Sequence, residues 1–232
     1  MELRVFFVIL SVYNECMKEI WPDGSIYLSK SNGKDGWTYR PEFKNWLKEH
    51  PQAMSKVVKL IDKIIQIPRA ERKGGEQEGD VQVIPFNSPY SDIFKVVVGS
   101  DKFFVKRDQE RMNISGVPPV GGQVEYYGSA IAKEDLGEDP DVEIIDFQLA
   151  YTNRRDYNNR FGYFVSRWED LETIDKYLTN PDLSSAEKSE IEAKILRVKR
   201  LFSAYHDVKP ENMFYNPKNK KIVMFDLNIL QY

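Results

Sequence analysis

The stretch that most constrains this chain is residues 205–226, YHDVKPENMFYNPKNKKIVMFD, which dictates a helix exit, a polar loop and a hairpin in one short segment. Upstream, Ser184 and Glu187 form a capping box, and Ile191, Ile195, Val198, Leu201, Phe202 and Tyr205 recur at helical spacing. A long amphipathic helix is therefore expected to deliver the chain into Asp207. Downstream, the apolar MFYN and KIVMF runs flank NPKNKK, predicting a hairpin that carries Asn212 and Asp226. Asp207 and Asn212 are five residues apart, with Lys209 between them. Carboxamide and carboxylate oxygens are hard ligands of the kind Mg²⁺ accepts beside substrate phosphates, which suits Asn212 and Asp226. A separate carboxylate, Asp207, suits orientation and deprotonation of an attacking hydroxyl, and Lys209 suits neutralisation of a transferred phosphoryl group. Taken singly, these residues would make a polar loop in which Asp caps, Asn turns and Lys is solvated. Their joint order points to phosphoryl transfer.

The segment resembles the catalytic loop and metal-binding aspartate of the eukaryotic-type protein kinase superfamily, HRDLKPEN followed by DFG. Tyr205 and His206 replace the His and Arg of that pattern, and Leu227 and Asn228 follow the aspartate in place of Phe and Gly. The missing arginine implies no docking site for a phosphorylated activation loop, and His206 is expected to be structural. Only six residues follow Asp226. The resemblance thus implies a minimal form without an activation segment, similar in plan to small bacterial effector kinases; a truncated gene product is the other reading of that end.

Composition sets the outer bounds. At 232 residues and 41% hydrophobic, the chain can bury a core as one domain or one with an added subdomain. A net charge of −3 and a pI near 5.6 give no global basic field, so nucleic acid is not the expected partner. Cys16 stands alone, and with only His50 and His206 there is no Cys/His set for structural zinc. A cytoplasmic location is expected, the host cytosol if the chain is a secreted effector. The apolar run VFFVIL at 5–10 is too short to span a bilayer.

The fold class the resemblance implies is α+β, a two-lobe protein-kinase-like fold: a β-rich N-lobe over 81–167, a reduced, mostly helical C-lobe over 168–232, and an N-terminal extension over 1–80. Within the extension, segments 25–28 and 37–39 flank SNGKDG as a small hairpin, Pro41 opens a helix through about residue 49, and a stripe from Ala53 to Ile65 predicts a second helix. That stripe is expected to be core, with a docking surface as the alternative. Residues 68–80, PRAERKGGEQEGD, are polar, charged and glycine-bearing, and are expected to be a mobile linker or loop.

Strands are expected over 81–85, 93–98 and 102–106, with Gly99, Ser100 and Asp101 closing the tight turn between the last two. Lys102 and Lys106 share a strand face. The resemblance assigns Lys106 to the nucleotide phosphates. The covering loop falls at 86–92, FNSPYSD, which has no glycine, leaving Ser88 and Ser91 as its phosphate-facing groups. A helix over 121–136 offers Glu125, nineteen residues after Lys106, as the carboxylate holding that lysine, with Glu134 in reserve. Strands over 142–151 and 160–167 follow. The resemblance makes Val165, Ser166, Arg167 and Trp168 a hinge whose backbone binds adenine; Trp168 is otherwise an interlobe packing residue.

What the resemblance implies is an ATP- and Mg²⁺-dependent protein Ser/Thr kinase, Lys209 two residues past Asp207 favouring that acceptor class. The alternatives are a pseudokinase serving as a binding module and a small-molecule kinase similar to the aminoglycoside phosphotransferases, which SPYSDIFKV also resembles. The expected partner is a protein substrate or a regulatory protein.

Overall fold

A computed structural model describes residues 26–29, 35–86, 88, 91–109, 122–153, 161–203, 205–206 and 208–229. They form an α+β fold built on one large antiparallel sheet. The first hairpin pairs β1 (Ile26–Ser29) with β2 (Asp35–Tyr39), and β2 continues onto β8 (Phe147–Asn153). The remaining strands are β3 (Glu76–Glu78), β4 (Val81–Phe86), β5 (Asp92–Val98), β6 (Asp101–Gln109) and β9 (Phe161–Arg167), giving the order β1-β2-β8-β9-β6-β5-β4-β3. Gly99 sits at φ 58°, a left-handed conformation that glycine adopts without steric cost, and it closes the tight β5–β6 turn.

The two faces of this sheet are covered by different parts of the chain. Helix α1 (Phe43–Glu49) and helix α2 (Ala53–Ile65) bury Phe43, Trp46, Ala53, Met54, Val57, Leu60, Ile61 and Ile64 against alternate strand residues, including Val83, Phe94, Val96, Phe103, Val105 and Val165. Period 3.6 on the helix meets period 2 on the strands, so the apolar stripe of α2 is core.

Residues 68–80 are not the free linker their composition suggests. They contain a 3₁₀ turn (Arg69–Glu71) and strand β3, which pairs with β4. Lys63, Lys59 and Lys56 on α2 reach Glu76, Glu78 and Asp80 at 2.6, 2.8 and 3.4 Å. Helix residues three or four apart rise about 4.5–6 Å, close to the roughly 6.8 Å of two strand residues, so the lysine and acid rows run in step. The charges that made the segment look solvated instead pair with the lysine row of α2. The described residues of the extension share a sheet and a core with 81–167, and no boundary in packing falls at residue 80.

The opposite face receives α3 (Gly122–Leu136), whose Tyr126, Ala130 and Ala132 join a second core with Phe147 and Phe164. Into that core pack α4 (Ile174–Tyr177), α5 (Ser185–Leu201) and a small sheet of β7 (Val142–Ile144), β11 (Met213–Asn216) and β12 (Lys221–Met224). The Ser184–Glu187 capping box forms, and Ile191, Ile195, Val198 and Phe202 bury the apolar side of α5. The single strand expected over 142–151 is two. After β7 runs parallel to β12, Ile145 donates its N–H to the Met224 carbonyl, and the chain then enters β8 of the large sheet. Among the described residues, no helix is long and apolar enough to cross a membrane.

Candidate functional site

Strand alternation on β6 decides which lysine is buried. Phe103, Val105 and Arg107 face α2, so Lys102 and Lys106 face the other way, toward α3. Lys102, near the strand's start, is exposed; Lys106 lies under α3 and is 8% exposed. Its ammonium stands 3.1 Å from a carboxylate oxygen of Glu125 and 2.5 Å from Oδ1 of Asp226. Glu125 is 3% exposed and lies in the first turn of α3, where the helix dipole favours a carboxylate. Glu134, the reserve candidate, is exposed farther along the helix.

Asp226 is delivered from 120 residues away by the β11–β12 hairpin. Met213 pairs with Met224, so Asn212, one residue before the pair, and Asp226, two residues after it, emerge at the same end. A two-residue ladder follows: β10 (Tyr205–His206) pairs with β13 (Asn228–Ile229), tying the chain before residue 207 to the chain after 226. Asp226 has φ 57°, uncommon for any residue but glycine. Such a conformation costs on the order of 1–3 kcal/mol and persists only where its surroundings hold it. Here buried Leu227, the β10–β13 ladder and the Lys106 contact do so.

The three charged groups sum to −1, one ammonium against two carboxylates. Among the described residues, no group of three or more Asp, Glu, His or Cys converges to hold a metal ion. Asn212 and Asp226, at one end of the β11–β12 hairpin, carry the hard oxygens that could serve Mg²⁺, an ion that keeps several waters and takes its remaining ligands from phosphate.

The other expected residues are placed less directly. Asp207 lies outside the described residues. Lys209 is exposed and its carbonyl accepts from the Asn212 N–H at 2.9 Å, opening a 3₁₀ turn (Pro210–Asn212). Ser88 accepts the Ser91 N–H at 3.4 Å, a local turn contact in the loop between β4 and β5. In the expected hinge, Val165 is core on the α2 face, and Arg167 reaches Asp101 at 3.1 Å. The backbone N–H groups of Arg167 and Trp168 donate to the carbonyls of Asp146 and Lys102. Partial burial raises the Glu169 carboxyl above its ordinary range, and Glu143, Asp146 and Asp170 add to the rise. Burial likewise raises the Tyr205 phenol, with a smaller push from Asp135.

One cluster was not foreseen. Asp92, at the start of β5, accepts from Arg69 at 3.0 Å, Arg72 at 2.7 Å and Arg107 at 3.0 Å. Burial alone would raise this carboxyl, yet Arg72 and Arg69 outweigh it and hold it below its ordinary value. Arg72 also donates to the Ile65 and Ile67 carbonyls at the end of α2. The extension is thereby bolted to the residue next to Lys106. The only sequence signal was PRAER, whose arginines look solvated until a buried partner is known.

No protein-family model matches the chain. No curated protein matches it either.

Proposed function

We propose that the chain is an ATP- and Mg²⁺-dependent phosphotransferase of protein-kinase-like, two-lobe plan, acting on a protein hydroxyl, most simply Ser or Thr. The observation that carries this reading is the Lys106–Glu125–Asp226 triad. An ammonium pinned on a sheet by a helix carboxylate and set against a second, conformationally strained aspartate is an arrangement for gathering phosphate and metal charge. A buried charge cluster kept only for stability would be a poor choice, since apolar packing of similar volume is often as stable.

In this reading Lys106 neutralises charge on the nucleotide phosphates while Glu125 fixes its position. Asp226 and Asn212 would hold Mg²⁺, which supplies charge neutralisation on the phosphates when bound. Asp207 accepts the proton of the acceptor hydroxyl, and Lys209 steadies the transferred group. Positioning and electrostatics supply most of the acceleration, as the reaction asks little covalent chemistry of the protein. The glycine-free 86–92 loop favours a second reading, a pseudokinase that binds partners with little turnover.

Transfer of radiolabel from the γ-phosphate of ATP to a generic protein acceptor or to the chain itself separates the two. Wild type should label in a Mg²⁺-dependent way. Asp207→Ala should cost on the order of 10²–10⁴ in rate, and Asp226→Ala, lacking a Mg²⁺ ligand, should lose the Mg²⁺-dependent transfer. Nucleotide binding with no transfer under any condition would support the pseudokinase instead.

A further inference from the structure

The sheet face that carries Lys106 continues toward residue 168, and a side chain of the protein itself stands there. The Trp168 indole stacks on Phe86, with ring centroids 5.4 Å apart and planes at 23°. The Lys95 ammonium lies 4.3 Å from the indole centroid. The indole N–H donates to Asp170 at 2.7 Å. Phe86 pairs with Ile93 and Ile93 with Lys106, so Phe86 shares the row and face of Lys106; Lys95 and Phe104 make the next row on that face, and Ser166 continues it.

Ser166 adds an independent observation. It is fully buried, and its hydroxyl has no hydrogen-bond partner. Native folds rarely leave a buried hydroxyl unmet unless a ligand, an ordered water or a second state meets it. This one lies on the Lys106 face, two residues before Trp168.

We propose that Trp168 is a gate standing in the base position of the nucleotide site, held shut by Phe86 and Lys95. A purine nucleotide enters by displacing the indole, takes its place under Lys95 and meets the Ser166 hydroxyl with its polar edge. Indole and purine are both flat bicycles that accept a cation on one face, so one can replace the other. Insertion between the two rings is not available. A third ring would need about 7 Å between them, twice the contact distance of roughly 3.5 Å. The shut state reduces apparent affinity by the fraction of molecules that are open. The inference rests on the phosphotransfer reading, and it adds that nucleotide admission is controlled from residue 168.

Calorimetric titration with Mg-ATP tests it on wild type, Trp168→Ala, Trp168→Phe, Lys95→Gln, Ser166→Ala and Trp168→Ala/Lys106→Ala. Losing one stacked pair and one cation–π contact from the shut state should tighten Mg-ATP binding of Trp168→Ala by roughly 5- to 70-fold. Lys95→Gln takes the cation from the indole in the shut state and from the purine in the bound state, so its binding should stay within about 2-fold of wild type; Trp168→Phe, with a smaller ring and a weaker cation–π contact, should tighten binding by roughly 2-fold and carries the test if Trp168→Ala misfolds. Ser166→Ala should weaken binding. Mg-ATP should alter tryptophan emission in wild type and leave it unchanged in Trp168→Phe. Wild-type binding that depends on Lys106, with Trp168→Ala and Trp168→Phe equal to or weaker than wild type, overturns the gate and leaves the phosphotransfer reading standing. No binding by wild type, Trp168→Ala or Trp168→Phe removes both.

Discussion

Replacing Asp92 with alanine asks whether the segment 68–80 belongs to the fold that holds Lys106. Of the three arginines on this carboxylate, Arg69 is 42% exposed, and an exposed pair contributes only about 0–1 kcal/mol after screening. Arg72 and Arg107 are 12% and 7% exposed, and their shares are largely unscreened. Removing one partner of a buried pair costs about 3–5 kcal/mol. At about 2–4 °C per kcal/mol for a domain of this size, Asp92→Ala should melt roughly 6–20 °C below wild type by circular dichroism. Arg72→Ala should cost a similar amount, because the side chain also holds the Ile65 and Ile67 carbonyls. The double variant should fall short of the sum by at least about 1 kcal/mol, since the two groups share one contact. Asp92→Ala within about 1 kcal/mol of wild type would refute the clamp and return residues 68–80 to the status of a loose connection.

Ser184→Ala removes the hydroxyl that accepts the Glu187 N–H, while the backbone N–H of residue 184 can still donate to the Glu187 carboxylate, and should cost about 1 kcal/mol, read as a lower urea midpoint at unchanged slope. Gly75→Ala would place a Cβ 2.8 Å from the Val83 carbonyl, so β3 should detach from β4, seen as faster amide exchange over Glu76–Glu78. Asp92 and Asp139 both sit below the ordinary carboxylate value of 3.8; Asp92 is held there by Arg72 and Arg69 against its burial, and Asp139 first by its bond from Arg197. The unfolded chain therefore binds more protons than the folded one in this window. Their stabilisation is complete above pH 3.8 and lost as pH falls through the lower folded values. Urea midpoints should fall on the acid side of that value, and the fall should be shallower in Asp92→Ala.

The meeting of Lys106 with Glu125 and Asp226 was more legible than the framework around it. Lys106, Glu125 and Asp226 could be chosen because each sits at a position where local pattern and motif order agree: an apolar FFV run before the lysine, a first-turn glutamate, an apolar strand before the aspartate. The α2 stripe and the α5 cap were equally plain, since period and capping are local properties. Ion-pair partners are not local. Lys56, Lys59 and Lys63 look like a solvated helix face, and Glu76, Glu78 and Asp80 like a solvated loop, until the strand that joins them is known. Asp92 was hidden for the same reason. Trp168 was recognised as hinge or packing, but its stack on Phe86 depends on a register that no short window contains.

The central claim is that the Lys106 ammonium, held by Glu125 and Asp226, serves phosphoryl transfer. Lys102 supplies an internal control, since it shares the strand and face of Lys106 but is exposed. The rate of γ-phosphate transfer from Mg-ATP in Lys106→Met and Lys102→Met, each checked for wild-type circular dichroism, tests the claim most directly. Loss of a preorganised charge at the reacting phosphates should slow Lys106→Met by about 10²–10³, while Lys102→Met stays near wild type. Equal rates in the two variants, or transfer undiminished in Lys106→Met, would contradict it.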